Sequence, residues 1–99
     1  MFRIEYAEGV ANDLACLRAY ERSLILDCIE KQLQDNPVQQ TRQKKILVGL
    51  IPPWEYMEPV WELRIGEFRI FYDVNEEEMN VIIRAIRRKP PHKTTEEIL

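Results

Sequence analysis

The sequence contains few of the residues on which many enzymes depend. Of 99 residues, three are glycine, two are cysteine, and histidine and serine occur once each. A Gly-rich phosphate loop and a zinc site of ordinary spacing are absent, so we expect neither a metal nor another cofactor. A Ser–His or Cys–His nucleophile is poorly supported, because Cys16 and Cys28 both fall in apolar helical patterns and are interpreted as buried, reduced thiols.

Long hydrophobic runs are also absent. No segment is long enough to span a bilayer, and the first residues carry no apolar run typical of signal peptides. We therefore expect a soluble, cytoplasmic protein without a membrane partner. The length predicts a single domain, residues 1–99.

Charge is distributed unevenly, although the net charge is only −3. Residues 1–35 hold seven acids and four Lys or Arg, whereas residues 84–93 hold five Lys or Arg and no acid. Arg42, Lys44 and Lys45 form a second basic cluster. This pattern fits either charged, solvated edges or a surface that binds a polyanion or an acidic partner.

The strongest pattern is the alternation of apolar and charged residues across Trp61–Tyr72. A period of two indicates strands with one buried face. Gly66 and Glu67 interrupt it and predict a tight turn between two antiparallel strands. A second turn is predicted over Asp73–Glu78, and the β-branched run that follows predicts a third strand over 80–87.

The first third of the chain predicts a strand and two helices. Residues 2–6 alternate, whereas apolar residues recur at helical spacing within 9–35. No Gly or Pro divides the helical stretch after its start, so it is one bent helix or, as we favour, a hairpin with its corner near Tyr20–Ser23. The second helix is then expected over Glu21–Gln34, and Asn36–Pro37 ends it.

The segment from Val38 to Pro59 has no period, and its prolines exclude a central strand. We interpret it as a loop of about twenty residues, a length that is usually functional or packed by its own apolar groups. Near the end of the chain, Thr94 and Glu97 have the spacing of a capping box and predict a last helical turn over 95–99.

These elements predict an α+β fold in the order β-α-α-β-β-β. Four strands, 2–6, 61–65, 68–74 and 80–87, form a mainly antiparallel sheet with the helical hairpin on one face. The other face is expected to stay partly open and to carry the arginines, so that Arg69 lies outside the core.

Arginines on such a face suit a phosphate ligand. A guanidinium is always charged and donates paired hydrogen bonds to phosphate oxygens, and neighbouring aromatic side chains can hold unstacked bases. Arg64 and Arg69 are interleaved with aromatic residues here. Spacing alone leaves an alternative equally open, in which the aromatic residues form the core and the arginines pair with Glu62 and Glu67.

The stretch Trp61–Val74 resembles the hallmark strand pair of RelE/ParE-type toxins, the toxin halves of type II toxin–antitoxin modules. Thr41–Lys45 resembles the basic loop after the second helix of that family, and the order of elements is similar over nearly the whole chain. RelE-like members cleave mRNA in the ribosomal A site without a metal, whereas ParE-like members inhibit DNA gyrase.

The resemblance implies a toxin with a cognate antitoxin as partner. The activity it favours is that of a metal-independent, ribosome-dependent mRNA endoribonuclease, in which the ribose 2′-OH attacks and leaves a 2′,3′-cyclic phosphate. A ParE-like gyrase inhibitor and a non-catalytic, antitoxin-binding member are the alternatives. The acidic net charge and the absence of the carboxy-terminal tyrosine of many members favour these two.

The resemblance also implies roles for single residues. Arg69 matches the arginine that RelE-like toxins use on the scissile phosphate, and Arg88 falls near a second one, with Arg87 as the alternative register. Glu62 is a candidate base for the 2′-OH, and His92 is a candidate acid for the leaving group. The other basic residues expected to bind RNA are Arg42, Lys44, Lys45, Arg64, Arg84, Lys89 and Lys93.

Overall fold

The computed structural model describes residues 1–99 and contains five strands and three helices. In chain order these are β1 (Arg3–Tyr6), α1 (Val10–Ala15), α2 (Ala19–Leu33), β2 (Lys44–Leu47), β3 (Val60–Ile65), β4 (Phe68–Asn75), β5 (Asn80–Arg88) and α3 (Thr95–Ile98). One sheet has the order β1-β5-β4-β3-β2. β1 is parallel to β5, and all other neighbours are antiparallel. The predicted α+β fold is confirmed, with one strand more than expected.

The additional strand is β2, which lies in the segment predicted to be a loop. Its four residues pair with β3, from Lys44 opposite Leu63 to Leu47 opposite Val60. Four residues are too few for a period of two to be recognised, so the strand depends on its pairing with β3 rather than on its own pattern. The loop before β3 is therefore limited to residues 48–59.

The two turns of the meander differ in how well they were predicted. Ile65 pairs with Phe68, so Gly66 and Glu67 form the predicted two-residue turn, with Gly66 at φ +56°. Glycine adopts that conformation without steric cost. The second turn is shorter than predicted, because β4 continues through Asn75.

The predicted helical hairpin is present, but its corner lies earlier. α1 ends at Ala15 and α2 begins at Ala19 rather than near Glu21. The backbone N–H of Arg18 donates to Glu21 Oε1 at 3.0 Å, which closes the first turn of α2 and explains the earlier start. Cys16 is exposed at this corner, contrary to the expectation of two buried thiols.

The carboxy-terminal capping box is also present. The Thr94 and Glu97 backbone amides each bond the other's side chain, and α3 follows. None of the three helices combines the length and the apolar character that crossing a membrane requires.

The main core lies between the sheet and the helices, on what we call the helix face. Side chains from α1, α2 and the three central strands interdigitate there. Its fully buried members are Val10, Ile25, Ile29, Leu33, Leu63, Ile70, Tyr72, Val81 and Ile83.

The opposite face of the sheet, which we call the second face, is covered rather than open. Trp54 packs on Phe71 with ring centroids 5.3 Å apart, and Thr95 Oγ1 donates to Glu62 Oε2 at 3.4 Å. Phe71 and Glu62 are consequently buried, and Arg69 is only 7% exposed. Arg69 does lie on the predicted face. The expectation that it lies outside the packed interior is wrong, because its guanidinium turns back onto the β3–β4 hairpin and bonds the carbonyl oxygens of Gly66 and Phe68.

β5 contains a bulge that changes which residues face which side. Tyr72 pairs with Ile83 and Phe71 pairs with Ala85, so Arg84 is an extra residue between the two pairs. Beyond this point the alternation of β5 is displaced by one residue. Arg87 therefore lies on the second face and Arg88 on the helix face.

Candidate nucleic-acid interface

Three arginines lie side by side across the second face, one on each central strand. Arg64 on β3 is the cross-strand partner of Arg69 on β4, and Arg69 is the partner of Arg87 on β5. Like charges placed directly opposite each other destabilise a sheet. A bound anion would offset this repulsion, and we refer to these three residues as the arginine row.

Arg69, at the centre of the row, is a buried cation without a carboxylate partner. Its Nη1 donates hydrogen bonds of 2.9 Å to the carbonyl oxygens of Gly66 and Phe68. Its Nε is buried and has no hydrogen-bond partner. Burial and the charge of Arg64 lower the pKa of Arg69, while Glu62 acts in the opposite direction. An anionic oxygen would supply both the missing acceptor and the missing charge.

The two outer members of the row have different surroundings. Arg64 is exposed and makes no ion pair. Arg87 Nη1 donates to Asp13 Oδ2 at 2.9 Å, and the Arg87 guanidinium carbon lies 5.3 Å from the centre of the Trp54 ring. The charge of Arg87 is therefore paired with Asp13, and its guanidinium plane contacts the Trp54 ring. Arg64, in contrast, is accessible to a ligand from solvent.

Arg88 is not brought to the arginine row. It donates to Glu21 Oε2 at 3.0 Å and to Glu67 Oε1 at 2.5 Å, and its guanidinium carbon lies 4.6 Å from the Phe68 ring centre. These contacts raise the pKa of Arg88, first through Glu21 and then through Glu67. Arg88 thus links the end of β5 to α2 and to the turn between β3 and β4. The residue beside Arg69 is Arg87, the alternative register considered above.

Glu62 lies on the same face as Arg69 and is the carboxylate of the site. It is 1% exposed, accepts a hydrogen bond from Thr95, and lies 3.8 Å from Lys45 Nζ. A carboxylate can accept a proton from a hydroxyl group. His92 is exposed between β5 and α3, and no hydrogen bond or ion pair connects it to the arginine row.

Two of the predicted RNA-binding residues are used inside the protein. Lys44 Nζ donates to the carbonyl oxygens of Gln32 at 3.2 Å and of Asn36 at 2.8 Å, at the end of α2, and burial lowers the pKa of Lys44. Arg84 Nε donates to buried Asp73 at 2.7 Å. Lys89 is half-buried, and the exposed basic candidates are Arg42, Lys45, Arg64 and Lys93.

Sequence reasoning missed Trp54, because it lies in a stretch without a period. Phe71 carried a usable signal. It is an aromatic residue at a position that alternation assigns to the second face, and a buried aromatic there requires a cover. Among the described residues, no group of three or more His, Cys, Asp or Glu is placed to hold a metal ion.

The site can therefore bind an anion and accept a proton. The arginine row offers guanidinium donors to phosphate oxygens, and Glu62 supplies a carboxylate on the same face. Two aromatic rings lie at the Arg87 end of the row, Trp54 and, beneath it, the fully buried Phe71. This combination of phosphate donors and aromatic rings is typical of surfaces that bind single-stranded nucleic acid.

A family model described as the ParE toxin of the type II toxin–antitoxin system parDE matches residues 4–89 of the chain. This match includes all five strands except the first residue of β1, and it includes the complete arginine row. No curated protein sequence gives a significant match.

Several solved structures have a similar fold. A chain of the toxin–antitoxin complex RelBE2 from Mycobacterium tuberculosis is 17% identical, with a TM-score of 0.69 and coverage of 89% of this chain and 98% of that one. The isolated Escherichia coli RelE toxin is 13% identical, with a TM-score of 0.68 and coverage of 98% and 94%. A chain of the RelB–RelE complex from Methanococcus jannaschii is 21% identical, with a TM-score of 0.61 and coverage of 85% and 88%. At these identities the likeness concerns the fold.

Proposed function

Because the chain belongs to the ParE toxin family of type II toxin–antitoxin systems, we propose that it is a toxin that cleaves mRNA on the ribosome without a metal. Arg69 carries this proposal. It is a buried guanidinium with no carboxylate partner and with an unpaired Nε. Burying a charge is costly unless it is paired, and a phosphodiester placed against Arg64 and Arg69 would pair it.

The proposed reaction begins with attack of the ribose 2′-oxygen on the neighbouring phosphorus. Glu62 accepts the proton of the 2′-OH. The bond to the 5′-oxygen of the next nucleotide breaks, leaving a 2′,3′-cyclic phosphate and a 5′-hydroxyl end. Negative charge develops on the non-bridging oxygens, to which Arg64 and Arg69 donate hydrogen bonds. His92 is the candidate acid for the departing oxygen, because a protonated imidazole can donate a proton to it.

Inhibition of DNA gyrase is the second candidate function, and the ParE description of the family favours it. This activity would operate through binding alone. It would require neither a proton acceptor at Glu62 nor a phosphate on Arg69. The two functions therefore make opposite predictions for variants of the arginine row that keep the protein folded.

An antitoxin partner is part of the same proposal. The M. tuberculosis and M. jannaschii structures are complexes of a toxin with an antitoxin. We infer that a small protein encoded next to this chain binds it and neutralises its basic surface. Co-expression of the neighbouring small open reading frame should restore growth. If the chain is not toxic alone and no neighbour affects growth, the chain is a non-catalytic member.

The test of the activity combines two measurements. Induced expression followed by pulse labelling should show a block in translation before any effect on replication, whereas gyrase inhibition gives a replication block with DNA damage. Purified ribosomes carrying mRNA should then be cut by wild type, yielding 2′,3′-cyclic phosphate ends. Arg64→Ala should cut about 10- to 100-fold more slowly, since one charge-assisted donor contributes about 1.5–3 kcal/mol. Arg3→Ala, an exposed arginine on β1, is the matched control. Equal cutting by Arg64→Ala and wild type would contradict the proposal.

A further inference from the structure

Residues 48–59, between β2 and β3, cross the second face beside the arginine row, and we call them the strap. Its central contact is Trp54. This ring packs on Phe71, and the Arg87 guanidinium lies over it. Phe71 has 0% exposure although it lies on the face opposite the main core. The strap thus covers the Arg87 end of the row.

The strap has a second attachment three residues after Trp54. The backbone N–H of Met57 donates to Asp73 Oδ2 at 2.9 Å, and Arg84 Nε donates to the same oxygen at 2.7 Å. Asp73 is almost completely buried. The Met57 amide therefore reports directly on whether the strap is in place.

The fit of the strap is incomplete. Trp54 Nε1 is buried and has no hydrogen-bond partner, which is a cost of the closed position. Val48 and Ile51 leave 91% and 81% of their surface exposed, so much of the apolar content of the strap is not used to hold it down. Segments with few buried contacts open more readily than the rest of a fold.

The two residues that contact the Trp54 ring, Phe71 and Arg87, are of the kind that bind a nucleobase. Unstacked bases stack on aromatic rings and on arginine guanidinium planes, and Phe71 and Arg87 offer both. The neighbouring Arg69 and Arg64 offer phosphate donors at the next positions of the row. A nucleotide on this face would therefore place its phosphate at Arg64 and Arg69 and its base where Trp54 now lies.

We propose that Phe71 and Arg87 form a nucleobase subsite that the protein closes with its own Trp54, and that RNA binds only when the strap opens. This inference rests on the proposed function, because it assumes that the arginine row binds RNA. The strap then acts as an autoinhibitory cover. Because only open molecules bind RNA, the apparent affinity equals the affinity of the open form multiplied by the fraction of molecules that are open.

The test measures binding of a fluorescent single-stranded RNA oligonucleotide by anisotropy at low salt. Trp54→Ala should bind about tenfold more tightly than wild type, as expected if roughly a tenth of wild-type molecules are open. Ile51→Ala, a strap variant at an exposed side chain, is the matched control and should bind like wild type. In the double variant Trp54→Ala/Arg64→Ala the gain should be lost.

A second measurement needs no variant of the strap and covers the case in which Trp54→Ala does not fold. Saturating wild type with the oligonucleotide should increase hydrogen exchange at the Met57 amide. Unchanged or slower exchange in bound protein would overturn the proposal, and so would weaker binding by folded Trp54→Ala. If Trp54→Ala gains nothing while binding still depends on Arg64, the strap proposal fails alone. If no variant binds the oligonucleotide, the strap proposal fails, and the proposed function is decided separately by cleavage on ribosomes. If Arg64→Ala also cuts ribosome-bound mRNA as fast as wild type, both proposals fail.

Discussion

The two faces of the sheet are buried by different means and contain different residues. On the helix face, α2 contributes aliphatic side chains that are fully buried against aliphatic and aromatic partners. On the second face, a strap and a short helix cover the sheet, and three of the buried side chains there are charged: Glu62, Arg69 and Asp73. Buried apolar contacts stabilise a fold, whereas buried charges rarely do. The difference indicates that the helix face contributes most of the stability, and the second face is where we propose that the ligand binds.

The arginines of the two faces differ in whether they have a carboxylate partner. Arg88 on the helix face has two carboxylate partners, whereas Arg69 on the second face has none. The two residues are separated only by the thickness of the sheet. Lys44 is also a buried cation without a carboxylate, but carbonyl oxygens accept from its Nζ, whereas Arg69 Nε has no partner at all. This unpaired Nε is the reason that we propose a ligand at Arg69.

The comparison is tested most strongly by truncating the helix face. Ile29→Ala should lower the free energy of unfolding by about 2–5 kcal/mol, because the side chain is fully buried and leaves a cavity. Urea denaturation measures this loss. Leu24→Ala, on the exposed side of the same helix, is the control and should change little. A loss below 1 kcal/mol, roughly that of a surface substitution, would mean that α2 does not hold the core.

The second face should lose activity where the helix face loses stability. Arg69→Lys keeps the charge but not the paired donor geometry, so ribosome-dependent cleavage should fall on the order of a hundredfold, or about 3 kcal/mol. Melting curves should show a modest change only. Arg88→Lys, on the helix face, is the matched control and should cleave normally. Removal of the whole side chain in Arg69→Ala confounds both readouts, because Arg69 is buried. Normal cleavage by Arg69→Lys would assign the row a structural role.

Replacing Lys44 tests whether a buried cation contributes to the free energy of unfolding. Lys44→Met keeps the aliphatic chain but leaves the Gln32 and Asn36 carbonyl oxygens without their donor. We expect a loss of about 1–2 kcal/mol in thermal or urea unfolding, with RNA binding unchanged. Lys31→Met alters an exposed lysine on α2 that makes no ion pair and is the control for stability. Weaker RNA binding by Lys44→Met alone would return Lys44 to the interface.

The smallest expected effect is on thermal stability at acidic pH. The Arg18 amide and then Arg88 lower the pKa of Glu21 below its ordinary value of 4.5. Since the folded-state pKa is the lower one, this stabilisation is complete above pH 4.5 and is lost as the pH falls through the folded-state pKa. Glu21→Gln should therefore flatten the decline of Tm below that pH. Glu77→Gln, at an exposed turn residue, should keep the wild-type profile. Identical profiles for Glu21→Gln and wild type would contradict the assignment.

Residue patterns within single segments were sufficient to predict the turn at Gly66 and the last helical turn. The hairpin around Gly66 follows from alternation on both sides of a turn, and the last helical turn follows from the Thr94–Glu97 spacing. β2 did not follow, because a four-residue strand is defined by its partner. The overall arrangement followed from the order of the predicted elements, the family resemblance agreed with it, and the structure confirms it.

The candidate site was predicted in composition but not in surroundings. The face of Arg69 follows from a period of two, yet the cover of that face does not, because Trp54 on Phe71 and Thr95 at Glu62 come from other parts of the chain. No spacing rule contains that information. The register of Arg87 and Arg88 could not be decided from the sequence, because the extra residue at Arg84 displaces the alternation of β5 from Ala85 onward.

The extra residue at Arg84 has a consequence for how this chain is compared with its relatives. Deleting one residue there would rotate the remaining strand by half a turn and exchange Arg87 and Arg88 between the two sides of the sheet, without any substitution. An insertion or deletion can thus move a functional arginine in a single evolutionary event. For any relative that lacks this extra residue, an alignment without a gap at position 84 equates residues that point in opposite directions. Equivalent arginines must therefore be identified by their cross-strand partner and not by their column.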